Sequence, residues 1–445
     1  MTNHIVAIVG RPNVGKSTFF NRLCGQKSAI VEDTPGVTRD RIFGDAEWLN
    51  YKFTLIDTGG IEPTSEDIIL TQMRHQAELA IESSDVILFF VDAKDGLVGS
   101  DYKVADLLRN ADKPVIIVVN KADNKTDEEN MYDFYSLGIG DVFAISSSQG
   151  LGIGDLLDEV VKYFSPTDDE NDTDSEKTLS IALVGKPNVG KSSLSNRILG
   201  EERSIVSNIP GTTRDAIDSP VVINGKKYII TDTAGMRKKS KIEDSSIERY
   251  SVIRSLMAVK RSDVSIILID AEQGISEQDV KIAGYVHEEG KPALIAINKW
   301  DAVTKDSYTI ESYNKEINTA LSFMPYAEKV YISAKTGQRV DKLFEIANKA
   351  YDNGCRRIST GLLNDCLREA LIANEPPSDK GRRLKVYYTT QVSVLPPTFV
   401  LFVNDARLMH FSYKRYIENY LRKTFDFAGT PIHIIIRNRN EGKGE

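Results

Sequence analysis

A glycine-rich loop occurs twice in this chain. Gly10-Arg11-Pro12-Asn13-Val14-Gly15-Lys16-Ser17-Thr18 returns 175 residues later as Gly185-Lys186-Pro187-Asn188-Val189-Gly190-Lys191-Ser192-Ser193. Both copies fit G-x-x-x-x-G-K-[ST], a pattern in which backbone N–H groups, a lysine and a hydroxyl converge on phosphate oxygens and their cation. Such a loop has to leave a buried strand and open a helix, so each copy commits its surroundings to an α/β fold. A repeat at fixed offset means two like units in one chain.

The flanking residues agree. Apolar strand-sized runs recur in the first unit at 5–9, 53–56, 86–91, 115–119 and 142–145, with helical periodicity between them at 71–81 and 102–108. The second unit repeats the pattern at 179–184, 228–231, 264–269, 293–297 and 330–332. Strands alternating with helices predict a mostly parallel sheet covered on both faces. Between the units, Pro166 to Lys177 holds six acids in twelve residues and no large apolar group, the composition of a solvated linker. After Asn353 the order changes: a helix at 359–373, strands at 385–394 and 398–403, a helix at 413–425 and a last strand at 431–437. The expected division is a first domain at 1–165, a linker at 166–178, a second domain at 179–352 and an α+β tail at 353–445.

Bulk properties narrow the class. The chain has 445 residues, 41% hydrophobic and 27% charged, which suits soluble globular domains. No apolar run approaches the length of a membrane span, and the first strand begins within a few residues of Met1, so neither a membrane anchor nor a signal peptide is expected. Three cysteines without a CxxC pair and five scattered histidines predict a reduced, cytoplasmic protein without a zinc site. The net charge of −8 is uneven: residues 353–445 carry 15 Lys/Arg against nine Asp/Glu, a net +6, so the remainder carries −14. A basic tail on an acidic body predicts an anionic partner for the tail.

Three further motifs follow each loop. Thr38 and Thr213 lie in Pro35-Gly36-Val37-Thr38-Arg39-Asp40 and Pro210-Gly211-Thr212-Thr213-Arg214-Asp215, at the distance where small GTPases place a first switch that completes a Mg²⁺ shell. Asp57-Thr58-Gly59-Gly60 and Asp232-Thr233-Ala234-Gly235 end strands; the aspartate can hold Mg²⁺ and the last glycine can touch a γ-phosphate. Asn120-Lys121-Ala122-Asp123 and Asn298-Lys299-Trp300-Asp301 present a carboxylate able to accept from guanine N1–H and its 2-amino group together, an arrangement adenine does not offer. Ser146-Ser147 and Ser333-Ala334 follow the last strand of each unit and are placed to meet the guanine oxygen through backbone N–H groups. The expected machinery is therefore Lys16, Thr38 and Gly60 with Lys191, Thr213 and Gly235 around the reacting phosphate; Ser17, Thr38 and Asp57 with Ser192, Thr213 and Asp232 would hold Mg²⁺. Ile61 and Met236 stand where Ras-like proteins carry a water-orienting glutamine, so intrinsic hydrolysis should be slow.

This combination, with the tail segment Pro396 to Asn404, resembles the Der (EngA) family of bacterial GTPases over essentially the whole chain. The resemblance implies two P-loop, Ras-like GTPase domains with mostly parallel sheets and a C-terminal α+β KH-like domain. It further implies a GTP- and GDP-binding factor in assembly of the large (50S) ribosomal subunit, with ribosomal RNA and ribosomal proteins as partners. A monomer is expected, as is K⁺-stimulated hydrolysis in which Asn13 and Asn188 match the asparagine that helps hold K⁺. The tail has no GxxG after Asn353, so an RNA grip of the usual KH kind is not expected. Candidate phosphate contacts there are Arg382, Arg383, Lys385, Lys414 and Arg415; the other expectation is that the tail packs on the second domain near Arg237 to Lys241. The alternative reading is a regulatory GTPase switch acting on another RNA or protein.

Overall fold

The computed structural model describes residues 4–24, 43–57, 78, 80–81, 84–111, 113–124, 130–164, 178–200, 218–232, 255–306, 308–379 and 382–439. The chain forms two compact units, Met1–Ser175 and Glu176–Glu445.

The first unit is a six-stranded sheet: β1 (His4–Gly10), β2 (Phe43–Trp48), β3 (Tyr51–Asp57), β4 (Val86–Asp92), β5 (Val115–Asn120) and β6 (Asp141–Ala144), in the order β2-β3-β1-β4-β5-β6. All neighbours are parallel except β2 and β3, which form an antiparallel hairpin. Its helices include α1 (Lys16–Cys24), α2 (Gly99–Arg109) and α3 (Ile153–Lys162), with a 3-10 helix at Asn130–Leu137. The central strands read as continuous apolar runs because both faces are covered. Along β1, Val6 and Ile8 enter one core with Phe19, Leu88 and Leu156, while Ala7 and Val9 enter the opposite core with Phe89, Val104 and Phe134. The period of two in strands thus divides one hydrophobic run between two layers.

The second unit repeats the frame with β7 (Leu179–Val184), α4 (Lys191–Gly200), β8 (Asp218–Ile223), β9 (Lys226–Asp232), β10 (Val264–Asp270), α5 (Glu277–Glu288), β11 (Ala293–Asn298), α6 (Thr309–Ala320), β12 (Glu328–Tyr331) and α7 (Val340–Cys355). Its sheet order is β12-β11-β10-β7-β9-β8, again with one antiparallel edge strand. The edge strands β2 and β8 have little to announce them: Phe-Gly-Asp-Ala-Glu-Trp has no apolar run and Asp-Ser-Pro-Val-Val-Ile only its last three residues, and both pair on one side only. The expected helix at 71–81 lies largely outside the described residues, whereas the one at 102–108 falls within α2.

The tail continues the second unit with α8 (Thr360–Ala373), a two-residue ladder of β13 (Ser378–Asp379) and β14 (Arg382–Arg383), β15 (Val386–Ser393), β16 (Thr398–Val403), α9 (Phe411–Phe425) and β17 (His433–Asn438). The sheet order is β15-β16-β17, with the first pair antiparallel and the second parallel. Its core, Leu363, Leu367, Phe399, Leu401, Ile417, Leu421 and Phe427, belongs to the tail alone. The tail nevertheless joins the second sheet at the amino ends of its strands. Gly429 N–H donates to the Tyr326 carbonyl at 2.8 Å, and the Gly429 carbonyl accepts from Ala293 N–H at 2.8 Å. Gly429 has φ +78 and a Cβ there would run into Ala350, so only glycine lets the backbones meet. The Arg422 guanidinium lies 5.1 Å over the Tyr326 ring, whose hydroxyl is 2.9 Å from His287 Nδ1. The seam is therefore at the opposite end of the sheet from the phosphate loop; residues 237–241 lie outside the described residues.

Candidate functional site

Each phosphate loop leaves the carboxyl end of a central strand, where open α/β sheets place their ligands. The two backbones match residue by residue. Asn13 and Asn188 have φ of +65 and +66, and Gly15 and Gly190 have φ of +90 and +98. A Cβ on either glycine would collide with the side-chain amide of Asn120 or Asn298, so these positions are glycine for contact as well as conformation. Pro12, Asn13, Ser17, Thr18, Asn188, Ser192 and Ser193 are exposed on the open side of the loops, while Val14 and Val189 are fully buried and anchor the turns.

Lys16 Nζ donates to the carbonyls of Gly10 and Arg11, both at 2.7 Å. Lys191 Nζ donates to Gly185 at 2.6 Å and Lys186 at 2.7 Å. The loop carbonyls hold each ammonium inside the curve of the loop. Burial pushes Lys16 down to about 8, although the Asp57 carboxylate nearby works against that shift and Arg11 adds to it. Such an ammonium lacks a full counter-charge, and an anion in the loop would supply it. Ser17 Oγ donates to Asp57 Oδ2 at 2.9 Å, bringing a hydroxyl and a buried carboxylate together at the end of β3. That is a hard oxygen donor set of the kind Mg²⁺ takes. Asp232 ends β9 at the matching place. Thr38, Thr58, Gly59, Gly60, Thr213, Thr233, Ala234 and Gly235 lie outside the described residues.

A second pocket is built around the NKxD strands. Asn120 Nδ2 donates to the Val14 carbonyl at 2.7 Å, and its Oδ1 accepts from Ser147 N–H at 2.9 Å. Asn298 makes the same pair of bonds, to Val189 at 2.8 Å and from Ala334 N–H at 2.9 Å. One buried amide thus ties the phosphate loop to the loop after the last strand. Lys121 and Lys299, at φ +67 and +62, reach back to the buried Asp92 and Asp270 at 2.5 and 2.6 Å, which lays their stems along the pocket wall. Asp123 Oδ1 accepts from Ser146 Oγ at 2.7 Å and Oδ2 from Lys94 Nζ at 2.6 Å; these two partners hold its carboxyl below the usual range. The Asp301 carboxyl is lowered chiefly by the Ser333 hydroxyl. A carboxylate has about four acceptor positions, so partners on both oxygens leave two for an incoming pair of N–H groups.

The structure also brings in residues that motif reading passed over. Arg22 Nε donates to the Ser147 carbonyl at 2.7 Å, and its Nη2 donates to Ser148. Arg197 reaches Ala334 at 3.3 Å and also Lys335. Both arginines lie on the helix after the phosphate loop, with no local pattern to mark them. In the tail, Arg383 pairs with Glu375 at 2.7 Å and Arg415 donates to the Ser322 carbonyl at 3.3 Å. Among the described residues no group of three His, Cys, Asp or Glu side chains could hold a metal, and no helix is long and apolar enough to cross a membrane.

Comparison with known proteins agrees with these motifs. The model of the "50S ribosome-binding GTPase" family matches residues 5–121 and 180–299, and that of the elongation factor Tu GTP-binding domain matches 249–353. The tail matches the KH-domain-like family of EngA bacterial GTPases, C-terminal, over 357–437. "GTPase Der" of Clostridium perfringens is 58% identical over 442 residues, covering 99% of this chain and all of that one. "GTPase Der" of Clostridium botulinum is 58% identical over 441 residues with the same coverage.

Proposed function

The chain belongs to the Der (EngA) family of GTPases, and from that premise we propose that it is a factor of large-subunit ribosome assembly whose particle binding depends on the nucleotide it holds. It is a GTP hydrolase with two guanine-nucleotide domains followed by a KH-like tail. The observation that carries the proposal is the full-length match to GTPase Der together with the two regions of this chain, 5–121 and 180–299, that each match the 50S ribosome-binding GTPase model. The division at 1–165, 166–178, 179–352 and 353–445 is the working domain map.

In this reading Gly10 to Thr18 and Gly185 to Ser193 hold the phosphates, with Lys16 and Lys191 moving from the loop carbonyls to phosphate oxygens. Ser17 with Asp57 and Ser192 with Asp232, completed by Thr38 and Thr213, would hold Mg²⁺, which would supply positive charge to offset that of the phosphates. Gly60 and Gly235 offer N–H groups to the γ-phosphate. Asp123 and Asp301 read guanine, Lys121 and Lys299 cover its face, and Ser147 and Ala334 offer N–H groups already oriented by Asn120 and Asn298. Asn13 and Asn188, exposed and held at positive φ on the loop rim, fit a role in holding K⁺, whose charge would offset the missing glutamine. A cytoplasmic monomer acting on ribosomal RNA and protein completes the proposal.

The test is co-sedimentation with ribosomal subunits, comparing a non-hydrolysable GTP analogue with GDP, for the intact chain and for Lys16→Ala and Lys191→Ala. Binding to the large subunit only with the GTP analogue, lost in one or both variants, is expected. Absence of nucleotide-dependent binding in every form would overturn the ribosomal part and favour a switch acting on another partner. Equal hydrolysis in K⁺ and Na⁺ at one ionic strength would remove the K⁺ role.

A further inference from the structure

Both domains bury an acid that none of the motifs contains. Asp101 is the third residue of α2 and Asp279 the third residue of α5, each on the helix after the fourth strand of its sheet. Their side chains are fully covered. Asp101 Oδ2 accepts from Val98 N–H at 3.2 Å, and Asp279 Oδ2 accepts from Ser276 N–H at 2.9 Å and Oγ at 2.6 Å. A capping acid needs no more than this, and capping acids ordinarily stay wet. A buried carboxylate needs a cation as well.

The cation comes from the phosphate loop. Arg11 Nε lies 3.7 Å from Asp101 Oδ1, with Arg11 Nη2 2.9 Å from Asp95. Lys186 Nζ lies 3.2 Å from Asp279 Oδ2 and 3.3 Å from Ser276 Oγ. Arg11 and Lys186 are the second residues of the two loops, and their carbonyls are the ones that accept from Lys16 and Lys191 at 2.7 Å. The side chain of one loop residue is thus clamped by a helix while its backbone holds the phosphate-gripping lysine. A cation from the second loop residue faces the equivalent buried acid in both halves, as a close ion pair in the second domain and as a longer charge contact, shared with Asp95, in the first. What the two halves share at this place is the charge pairing and not the particular side chain.

We infer that Asp101 and Asp279 are positioning residues for the phosphate loops, acting through Arg11 and Lys186 to hold the loop carbonyls in place before nucleotide arrives. The inference rests on the nucleotide reading of the loops. It does not place either acid in contact with nucleotide. Without its acid, the second loop residue keeps a largely buried charge with a weaker anchor, and the loop backbone is no longer held in one shape. The loss should fall on the outer phosphates, since the loop N–H groups whose placement depends on this backbone are the ones that cradle them, while the ribose and base are held elsewhere.

The experiment uses the full chain in a Lys191→Ala background, so that nucleotide binding reports on the first domain. Competition against a fluorescent guanine nucleotide gives the affinities of GDP and of GMP, which lacks the outer phosphates. Asp101→Asn is expected to weaken GDP roughly tenfold or more while GMP changes by less than about twofold. The double variant Arg11→Gln with Asp101→Asn, which removes the buried charge together with its partner, should recover part of the GDP affinity. Asp279→Asn in a Lys16→Ala background should repeat the result in the second domain. Parallel loss of GDP and GMP, or GDP affinity within about twofold of the parent in both domains, would overturn the inference. The Lys16→Ala, Lys191→Ala chain serves as control: if it still binds GDP at the parental affinity, the nucleotide reading of the loops fails, separately from the positioning role.

Discussion

The two sheets of this protein share a backbone plan and differ in what surrounds it. Phosphate-loop dihedrals agree within a few degrees, and the same asparagine bonds cross each pocket. Around the base-reading aspartates the domains part: Asp123 has a lysine on one oxygen, Lys94, where the second domain carries Glu272, which instead lies 3.8 Å from Lys299. At the far end, only the second sheet is shown joined to a tail, through Gly429, Tyr326 and Arg422. The two halves share the bonds by which a buried side-chain amide ties one backbone loop to another, and differ in their exposed charges. Backbone geometry tolerates no drift near phosphate, while a half-exposed ion pair carries little energy either way.

The comparison breaks most sharply at the aspartates. Asp123→Asn and Asp301→Asn should each weaken guanine nucleotide binding in their own domain by roughly a hundredfold or more, because a bound base covers these carboxylates and its N–H pair would then be left mispaired. Nucleotide titration of each variant, with the other domain intact, checks this. An effect in one domain only would mean that the second copy has kept the motif without the use.

The next largest effect concerns the seam. Burial, with His433 and Arg422 nearby, pushes His287 down to about 4. A histidine whose folded value lies below its unfolded value of about 6.5 stabilises the native state fully above pH 6.5, and this contribution is lost as pH falls toward 4. The complete loss amounts to about 3–4 kcal/mol, of which about 2–3 kcal/mol falls between pH 7 and pH 4.5. Thermal unfolding of the full chain from pH 7 to pH 4.5 should show it, and His287→Gln should remove that part of the dependence.

Gly429→Ala follows. It sets a side chain against Ala350 and forces an unfavourable φ, costing about 1–3 kcal/mol. The loss should appear in the transition that involves the second unit, read by denaturant melting. The smallest effect sharpens the comparison: Lys94→Ala removes a half-exposed partner of Asp123 and should weaken guanine binding in the first domain by less than about fivefold, more at low salt. Glu272→Ala should leave the second domain within about twofold, by the same titration.

Much of the site is legible in local sequence because its chemistry is local. A phosphate loop needs consecutive backbone N–H groups, so Gly10 to Ser17 and Gly185 to Ser192 stand together in the chain. Central strands such as Val86–Asp92 show themselves by unbroken burial. The α-β-β-α-β order of the tail is likewise visible in its periodicity, and the structure shifts its ends by only one or two residues. The edge strands β2 and β8 are not visible, since one-sided pairing asks little of composition. Arg22, Arg197, Asp101 and Asp279 carry no signature either. Their partners are Ser147, Ala334, Arg11 and Lys186, between 90 and 137 residues away, and only the packing of helices against the sheet brings them together.

By itself the sequence determined that there are two nucleotide domains, where their loops lie, which base they read, and that a basic α+β tail follows. Those properties depend on residues adjacent along the chain or repeated at a fixed offset. Tertiary structure alone decided that the tail meets the amino ends of the second sheet, that Lys94 faces Asp123, and that each phosphate loop is clamped from a neighbouring helix. These are contacts between segments far apart in the chain, set by how two layers of helices close over a twisted sheet, and no local pattern encodes them.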